Sequence, residues 1–455
     1  MKLQFRKVVF FTVASLVAGA FACRTPSAIC QSPQTAPYRL TLQDAIQKAL
    51  KANLNVLVSG SRVDEAEGTR QRRLAAALLP RVNAQVYANV QNRDLNAFGI
   101  SLPGLPSVVG PFSNYDFRIY AQQNVVDLES LHGLKASERA LDASKLDEQD
   151  ARDLIVRMVA GLYLNAQSAG ARVEAAESRV TDSTRLFKLA KEKHDAGTAT
   201  GVDVLRAEVQ LANDRQGALL AENQFKQSLL SLARNLGMSP ETPLELAEPL
   251  RYQTLSQPQS EMLVAAALHA RSDYLSLDRQ RQGLVEQQNA NHARLYPKLS
   301  LNGNFGEIGR SIGSVQSTGL IQGQIDFTLF DRDRNGEAQE LLSRVKRIDD
   351  QIADLRRGIE EDISEALLNL DSSTQQVTVA KEGQDLAQRE LELSQDRFQS
   401  GTTNNVEVVT AQDELARAQE NYILAVSMHV DAKFALARAM GDTEKNILEF
   451  MGNPQ

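Results

Sequence analysis

The sequence contains two copies of one pattern, and the second copy follows the first at an offset of 204 residues. The best match is Gly197 to Leu211, which recurs as Gly401 to Leu415 and keeps the Gly-Thr start, an aliphatic-acidic-aliphatic run, an alanine and a leucine. Further pairs at this offset are Leu164-Asn165 with Leu368-Asn369 and Leu232-Ala233-Arg234 with Leu436-Ala437-Arg438. Chance would not hold one register over so long a stretch, so both copies are expected to share one fold.

The prolines show where long helices can form. The chain has 13 prolines, and none of them falls within 112–239 or 298–453. Because proline costs a helix interior about 3 kcal/mol, long proline-free runs rich in Ala, Leu, Glu, Gln, Lys and Arg predict very long helices. The absence of Trp and a hydrophobic share of 42% suit helices that bury a narrow seam better than they suit a thick globular core.

A glycine divides each proline-free run. Gly197 is followed by Thr198, and Gly401 is followed by Thr402. Glycine ends one helix, and a nearby Thr or Asn caps the next, so each run predicts a helix that turns back on itself. The predicted helical hairpins span 132–237, with a tip at 197–202, and 334–441, with a tip at 401–406.

The returning helix of the second hairpin carries an apolar seam in steps of three and four residues, which is typical of coiled-coil packing. Its members are Leu415, Ala418, Tyr422, Ala425, His429, Ala432, Leu436 and Ala439. The many alanines allow neighbouring helix axes to approach closely. Within such a seam, His429 is interpreted as a packed side chain and not as a metal ligand.

Each copy opens with a shorter helical segment that stops at a proline. The predicted helices are 41–79, before Pro80, and 258–296, before Pro297. We expect each of them to stack end to end on the returning helix of its own copy, beside the long helix. Of the remaining residues, 23–40 are predicted to be a flexible segment, 238–257 a linker between the copies, and 442–455 a tail.

Strict alternation of apolar and polar residues follows each of the two prolines. In the first copy Val82, Ala84 and Val86 alternate with Asn83 and Gln85, a period of two that predicts strands. The predicted β-hairpins span 81–128 and 298–331.

Four strands of this kind fit two structures. Strands that are apolar on one side and polar on the other suit an outer-membrane barrel, and they also suit a sheet that lies on a core. A single-chain barrel uses at least about eight strands. If the strands form a barrel, several protomers must therefore contribute to it.

The N-terminus has the features of an export signal. Lys2, Arg6 and Lys7 precede an apolar stretch, and Ala20-Phe21-Ala22 is a small-x-small cleavage site, so 1–22 is predicted to be a removable signal peptide. Cys23 directly after that site allows lipidation, and ordinary cleavage is the alternative. Whether Cys23 and Cys30 pair stays open.

Several classes of function find no support in the residues. A formal charge of −7 from well-mixed acidic and basic side chains offers no basic field to nucleic acid. The five histidines lack metal-ligand spacing, and neither a P-loop nor a GxSxG motif occurs. Asp331 begins a calcium-like loop, but its twelfth position is Leu342 where glutamate is required, so it is interpreted as a strand-to-helix turn. We expect no enzyme, no cofactor and no metal site.

The duplicated tips and the proline openings of the strands resemble those of the TolC-like outer-membrane efflux proteins. The residues that carry the resemblance are Ala196-Gly197-Thr198 through Ala207, Ser400-Gly401-Thr402 through Ala411, the Leu79-Pro80 and Tyr296-Pro297 openings, and Thr328-Leu329-Phe330-Asp331. The resemblance covers about 41–441. It implies a mainly α protomer with four transmembrane strands, three copies of which form a twelve-stranded barrel in the outer membrane and a long-helix α-barrel that continues it as a tunnel through the periplasm.

The resemblance also implies a function and a gate. In the family the duct is passive, docks through its tips to a periplasmic adaptor, and is energised by an inner-membrane pump. Acidic side chains on the second tip of some members ring the entrance and favour cations. Glu407 matches one such position, whereas the next acidic position falls on Thr410. Asp203 and Arg206 occupy the matching places in the first tip, either as a pair across a helix interface or as a solvated pair.

The sequence therefore predicts an outer-membrane exit duct of a tripartite efflux or secretion system. The alternative is a periplasmic coiled-coil adaptor or structural tether whose strands form a small soluble sheet. The cargo and the class of pump are not specified by the residues.

Overall fold

The computed structural model describes residues 38–101, 103–104, 106–255 and 260–451. The predicted signal peptide 1–22, Cys23 and Cys30 lie outside the described residues. The strands are β1 (Tyr38–Leu40), β2 (Arg81–Asp94), β3 (Val108–Val126), β4 (Leu244–Leu246), β5 (Lys298–Gly309) and β6 (Gln316–Asp326). The helices are α1 (Leu42–Ala52), α2 (Leu54–Leu78), α3 (Leu128–Asp195), α4 (Gly201–Asn235), α5 (Ser260–Ala270), α6 (Ser272–Ala293), α7 (Asp333–Gln399), α8 (Asn405–Met440) and α9 (Thr443–Phe450).

Two very long helices dominate the fold. α3 has 68 residues and α7 has 67, so each is roughly 100 Å long at about 1.5 Å per residue. α4 returns along α3, and α8 returns along α7. In the seam of α8, Leu415, Ala425, His429 and Leu436 are buried, as coiled-coil packing predicts.

The short helix of each copy is broken in two, and the single helices predicted at 41–79 and 258–296 are therefore wrong. Asn53 is extended between α1 and α2 and caps α2 with its side chain, and Arg271 is extended between α5 and α6. Neither break contains the proline or glycine that usually marks one. The physical reason is that another segment of the same chain lies close to each break.

A glycine just beyond each returning helix lies against the break in the short helix. Gly237, after α4, has a φ of +67°, and a side chain there would place its Cβ 2.6 Å from that of Ala52. Gly441, after α8, has a φ of +80°, and its Cβ would lie 2.9 Å from the Arg271 nitrogen. The same close joint is thus built twice.

The three segments outside the two copies, predicted as a flexible segment, a linker and a tail, contain regular structure. β1, at the end of the predicted flexible segment 23–40, pairs in parallel with β4, inside the predicted linker 238–257. The predicted tail 442–455 contains α9, whose Ile447 and Leu448 are buried. These elements complete the largest apolar cluster, which includes Leu40, Ile46, Val159, Tyr163 and Phe434.

The four long strands form one antiparallel sheet in the order β2-β3-β5-β6. The two hairpins are joined because β3 of the first copy pairs with β5 of the second. β2 and β6 remain as edge strands. β6 ends at Asp326, before the end of the predicted hairpin 298–331, because Asp326 pairs with Lys298, the first residue of β5.

The two faces of the sheet differ as the alternation predicts. The apolar side chains are largely exposed to the surroundings, with Val86 at 70%, Phe305 at 68% and Ile321 at 83% exposure. The opposite face carries several amides, of which Gln122, Asn302 and Gln322 lie side by side on three neighbouring strands. The others are Asn83, Gln85, Asn304 and Gln324. The sheet therefore has no core on its apolar side within the protomer.

Candidate functional site

The first helical tip reverses the chain within a few residues. Gly197 follows the end of α3 with a φ of +75°, a conformation that only glycine adopts without strain. The amide and the hydroxyl of Thr198 both donate to the carbonyl of Lys193, at 2.8 and 3.0 Å. These bonds satisfy a carbonyl that the last turn of α3 would otherwise leave without a donor.

Asp203 and Thr200 cap the start of α4 reciprocally. The Thr200 amide donates to Oδ2 of Asp203 at 3.0 Å, and the Asp203 amide donates to the Thr200 hydroxyl at 3.4 Å. Such a capping box satisfies two amides at the helix start. Arg206 lies one turn further along α4, with its Nη1 3.6 Å from Oδ1 of Asp203. The two predicted residues therefore meet within one helix, and not across an interface.

The second tip repeats the first turn with different capping. Gly401 has a φ of +77°, and Thr402 donates from its amide and its hydroxyl to the Arg397 carbonyl, both at 3.0 Å. Asn404 caps α8 by accepting from the Val406 amide at 3.1 Å. Both tips thus have the same glycine-threonine turn, because the duplicated sequence places the same residue types there.

Glu407 is held within its own hairpin. Arg397 of α7 donates to its Oε1 at 2.5 Å, and the Thr403 hydroxyl donates to its Oε2 at 2.5 Å. The Glu407 side chain is 34% exposed and that of Arg397 is 58% exposed. Thr410 lies one turn further along α8 and is exposed. The carboxylate at the predicted gate position therefore has a cationic partner on the same tip.

Asn405 joins the two tips and was missed by the sequence reasoning. It is fully buried, its Nδ2 donates to the Asp203 carbonyl at 2.6 Å, and its Oδ1 accepts from Nη1 of Arg206 at 3.0 Å. The repeat contained a signal, since the matching position in the first copy is Gly201. A polar side chain in one copy where the other has glycine marks a contact that is made only once.

A second contact between the tips is made by Lys193. Its Nζ donates to the Gln399 carbonyl at 3.0 Å and lies 5.4 Å from the centre of the Phe398 ring. Beneath both contacts is a small apolar cluster of Leu186, Ala190, Ala207, Ala387, Leu391, Phe398, Val408, Ala411 and Leu415. The two hairpins thus share a packed layer directly behind the tips.

Further along the hairpins a polar cavity of about 20 Å³ lies between α3, α4, α7 and α8, enough for one water. The Gln210 amide bridges the carboxylates of Asp214, at 3.4 Å, and Asp413, at 3.3 Å. Burial raises the pKa of Asp214, and the negative charge of Asp413 raises it further. Burial likewise raises the pKa of Asp182. The ionised forms of Asp182 and Asp214 are therefore less favoured here than they are in water.

The histidines and the calcium-like loop have structural surroundings. His429 is buried, with Nε2 3.0 Å from the Gln253 carbonyl, and burial lowers its pKa. Asp331 accepts from the Arg334 amide at 3.3 Å, which makes it a cap in the turn before α7. Among the described residues no group of three or more His, Cys, Asp or Glu side chains is arranged to hold a metal ion.

None of the described helices combines the length and the apolar character that crossing a membrane requires.

The chain matches a sequence model described as "Outer membrane efflux protein" over residues 45–238 and 263–442. It is 23% identical over 411 residues to the pyoverdine export outer membrane protein OpmQ of Pseudomonas aeruginosa, covering 88% of this chain and 85% of that protein. It is also 23% identical over 423 residues to the toluene efflux pump outer membrane protein TtgC of Pseudomonas putida, covering 88% of this chain and 82% of that protein.

The fold is that of a solved bacterial channel. The outer-membrane channel OprN superposes with a TM-score of 0.73 at 18% identity, covering 88% of this chain and 89% of that chain. The family match covers both copies of the duplication, including both tips and most of the long helices. The chain belongs to the outer membrane efflux protein family.

Proposed function

We propose that this protein is the passive exit duct of a tripartite efflux or secretion system. It conducts substrates across the outer membrane from a periplasmic adaptor and an inner-membrane pump. One observation carries the proposal: a four-stranded sheet with an exposed apolar face and two edge strands is attached to helical hairpins roughly 100 Å long.

The sheet fits a lipid environment better than water. An exposed, long and apolar sheet with unpaired edges is an aggregation hazard in water. In a bilayer the same apolar face contacts lipid, but then every backbone group of the edge strands needs a partner. Pairing β6 of one copy with β2 of the next supplies those partners and closes a barrel without free edges.

Three copies give twelve strands, the number that the resemblance to TolC-like proteins implies. In this homotrimer the amide-rich face lines a wet lumen. The helical hairpins then extend from the barrel as a tunnel through the periplasm. The wall of this tunnel has apolar seams between its helices and is solvated on both its inner and its outer face.

The tips are the proposed entrance and docking surface. They are the points of the helical part most distant from the sheet, and each presents a glycine-threonine turn with exposed backbone. An adaptor with helical hairpins of its own would meet them end to end. The relatives are named for an export system and an efflux pump, which supports partners of this kind. We propose that the protein has no enzymatic activity. The names of the two relatives refer to different cargoes, pyoverdine and toluene, which favours the pump as the component that selects the cargo.

Fractionation of membranes separates this proposal from the alternative of a periplasmic adaptor or tether. After washing with carbonate and urea, an integral duct stays in the outer-membrane pellet, whereas a tether with a soluble sheet is released. Recovery of most of the protein in the wash would contradict the proposal. An unrelated outer-membrane barrel and a soluble periplasmic protein serve as the two controls.

A further inference from the structure

A single ion pair lies on the polar face of the sheet, away from its ends. Nε of Arg118 donates to Oδ1 of Asp116 at 2.7 Å, and Nη2 contacts the other carboxylate oxygen. Both residues are on β3, two positions apart, and therefore on the same face. In register with them on the neighbouring strands are Tyr87, Gln85 and Gly306. The fourth residue in register is Ile308, opposite Asp116, and the amides of Asn83, Asn302 and Asn304 lie further along the same face.

The two members of the pair differ in accessibility. The Asp116 residue is completely buried, whereas 22% of the Arg118 side chain is exposed. A guanidinium has five N–H donors, and two of them hold Asp116, so three remain for other acceptors. The guanidinium also lies 5.4 Å from the centre of the Tyr120 ring. The charge that this face presents to a solute is therefore the cation.

The neighbouring strand makes room for the arginine. Gly306 of β5 lies opposite Arg118, and a Cβ at that position would lie 2.0 Å from the Phe117 carbonyl oxygen and 2.9 Å from Cγ of Arg118. Only glycine permits so close an approach of β5 to the base of the arginine side chain. The close approach of β5 confines the base of the side chain, and the Asp116 carboxylate holds the guanidinium.

We propose that Arg118 is a binding site for anionic groups of solutes that pass through the barrel, with Asp116 as the positioning residue. Guanidinium groups bind carboxylates and phosphates strongly because their N–H fork matches the planar arrangement of the acceptor oxygens. This inference rests on the proposed function, since closure of the trimer brings three such groups to one height in the lumen. Cargo with carboxylate, phosphate or similar groups would then be retained there briefly during export.

The test is block of ion current by citrate in planar bilayers that contain the purified protein. Citrate added on the outer side should block the wild-type channel, and Arg118→Gln should raise the half-blocking concentration at least tenfold. Arg93→Gln, which removes an arginine near the end of β2, is the matched control. Citrate should block this variant at the same half-blocking concentration as the wild type. Asp116→Asn keeps an acceptor that positions the guanidinium but removes the negative charge that competes with citrate, and it should lower the half-blocking concentration.

The outcomes separate this inference from the proposed function. Equal block of the wild type and Arg118→Gln, or no block of either, overturns the anion site but leaves the duct standing. Absence of any wild-type conductance counts against the duct itself. Because Arg118→Gln leaves Asp116 without its partner, the double variant Asp116→Asn with Arg118→Gln is measured as well. It replaces the ion pair by an amide pair, and block like that of the wild type would also overturn the proposal.

Discussion

At the scale of single residues, the tip contacts show how charge at the proposed entrance is arranged. Glu407 is bound to Arg397 and Thr403 of its own hairpin, so its carboxylate and the arginine form a nearly neutral pair. Removing the carboxylate leaves the arginine as an unpaired cation at the same place. Any ion selectivity at the entrance therefore depends on both residues.

Glu407→Ala is expected to lower the preference for cations, because in the proposed trimer it removes three carboxylates and leaves three guanidinium groups. The measurement is the reversal potential of the single channel in a salt gradient. Thr410→Ala, one turn further along the exposed surface of α8, removes no charge and is the control. An unchanged reversal potential in Glu407→Ala would remove this residue from the gate.

Asn405→Ala is expected to loosen the contact between the two tips. It removes both hydrogen bonds of a fully buried amide and leaves the Asp203 carbonyl without that donor, at a cost of about 1–3 kcal/mol. Single-channel recordings should show longer or more frequent openings. Asn404→Asp, which keeps an acceptor for the cap of α8, should leave the openings unchanged. Openings in Asn405→Ala that are neither longer nor more frequent than in the wild type would contradict a role of this contact in holding the tips together.

The turns of the tips could be predicted from the sequence, but the side-chain contacts between them could not. The turns at Gly197 and Gly401 were indicated by the duplication and by helix-ending chemistry, because those signals are local. The contact of Asn405 with Asp203 and Arg206, and that of Glu407 with Arg397, depend on which side chains the packed hairpins bring together. No spacing along the chain encodes that arrangement, although the change from Gly201 to Asn405 between the copies was a visible signal.

At the scale of elements, the joints between helices are the most constrained positions. Gly237 and Gly441 combine a left-handed backbone with close contacts to Ala52 and Arg271. The alternating strands and the long helices follow from periodicity and from the absence of proline. The breaks at Asn53 and Arg271 could not be predicted from either signal, because they result from contact with the end of the returning helix.

Gly237→Ala should lower the free energy of unfolding by about 1–3 kcal/mol, since alanine at a positive φ is strained and its Cβ meets that of Ala52. Gly217→Ala is the matched control in α4, because its Cβ would meet no atom within 4 Å and alanine favours a helix interior by about 1 kcal/mol. Thermal unfolding of the two purified variants measures both effects. Equal stability of Gly237→Ala and wild type would contradict the close joint.

The docking of α9 is expected to depend on pH through Lys433. This side chain is buried in α8 and its Nζ donates to the Phe450 carbonyl at 3.2 Å, and burial lowers its pKa from 10.5 to about 8. Between these two values the unfolded chain binds more protons than the folded protein. The free energy of unfolding should therefore rise with pH across that window, by about 3 kcal/mol at most.

Lys433→Met isolates this effect. Methionine keeps an unbranched apolar stem and does not titrate, so the rise in stability between about pH 8 and 10.5 should disappear in the variant. Chemical denaturation at a series of pH values provides the comparison with the wild type. The same rise in both proteins would assign it to other groups.

At the scale of the whole molecule, the duplication determines the architecture. Two copies of helix, hairpin and helical hairpin were evident from the sequence, because the repeats keep one register. The pairing of β1 with β4 and the packing of α9 were not, since a three-residue strand and an eight-residue helix are too short to show periodicity. β1 precedes the first copy, β4 lies in the linker between the copies and α9 follows the second copy, so none of these elements is part of the repeat.

The protomer alone leaves an apolar sheet face exposed and two edge strands unpaired, so the account requires an assembly that closes the sheet. Native mass spectrometry of the assembly extracted by detergent from carbonate-washed outer membranes tests this requirement most directly. The expected result is a complex of three mature chains, which would supply twelve strands to one barrel. A monomer or a dimer under these conditions would contradict the central claim that the protein is a trimeric duct through the outer membrane.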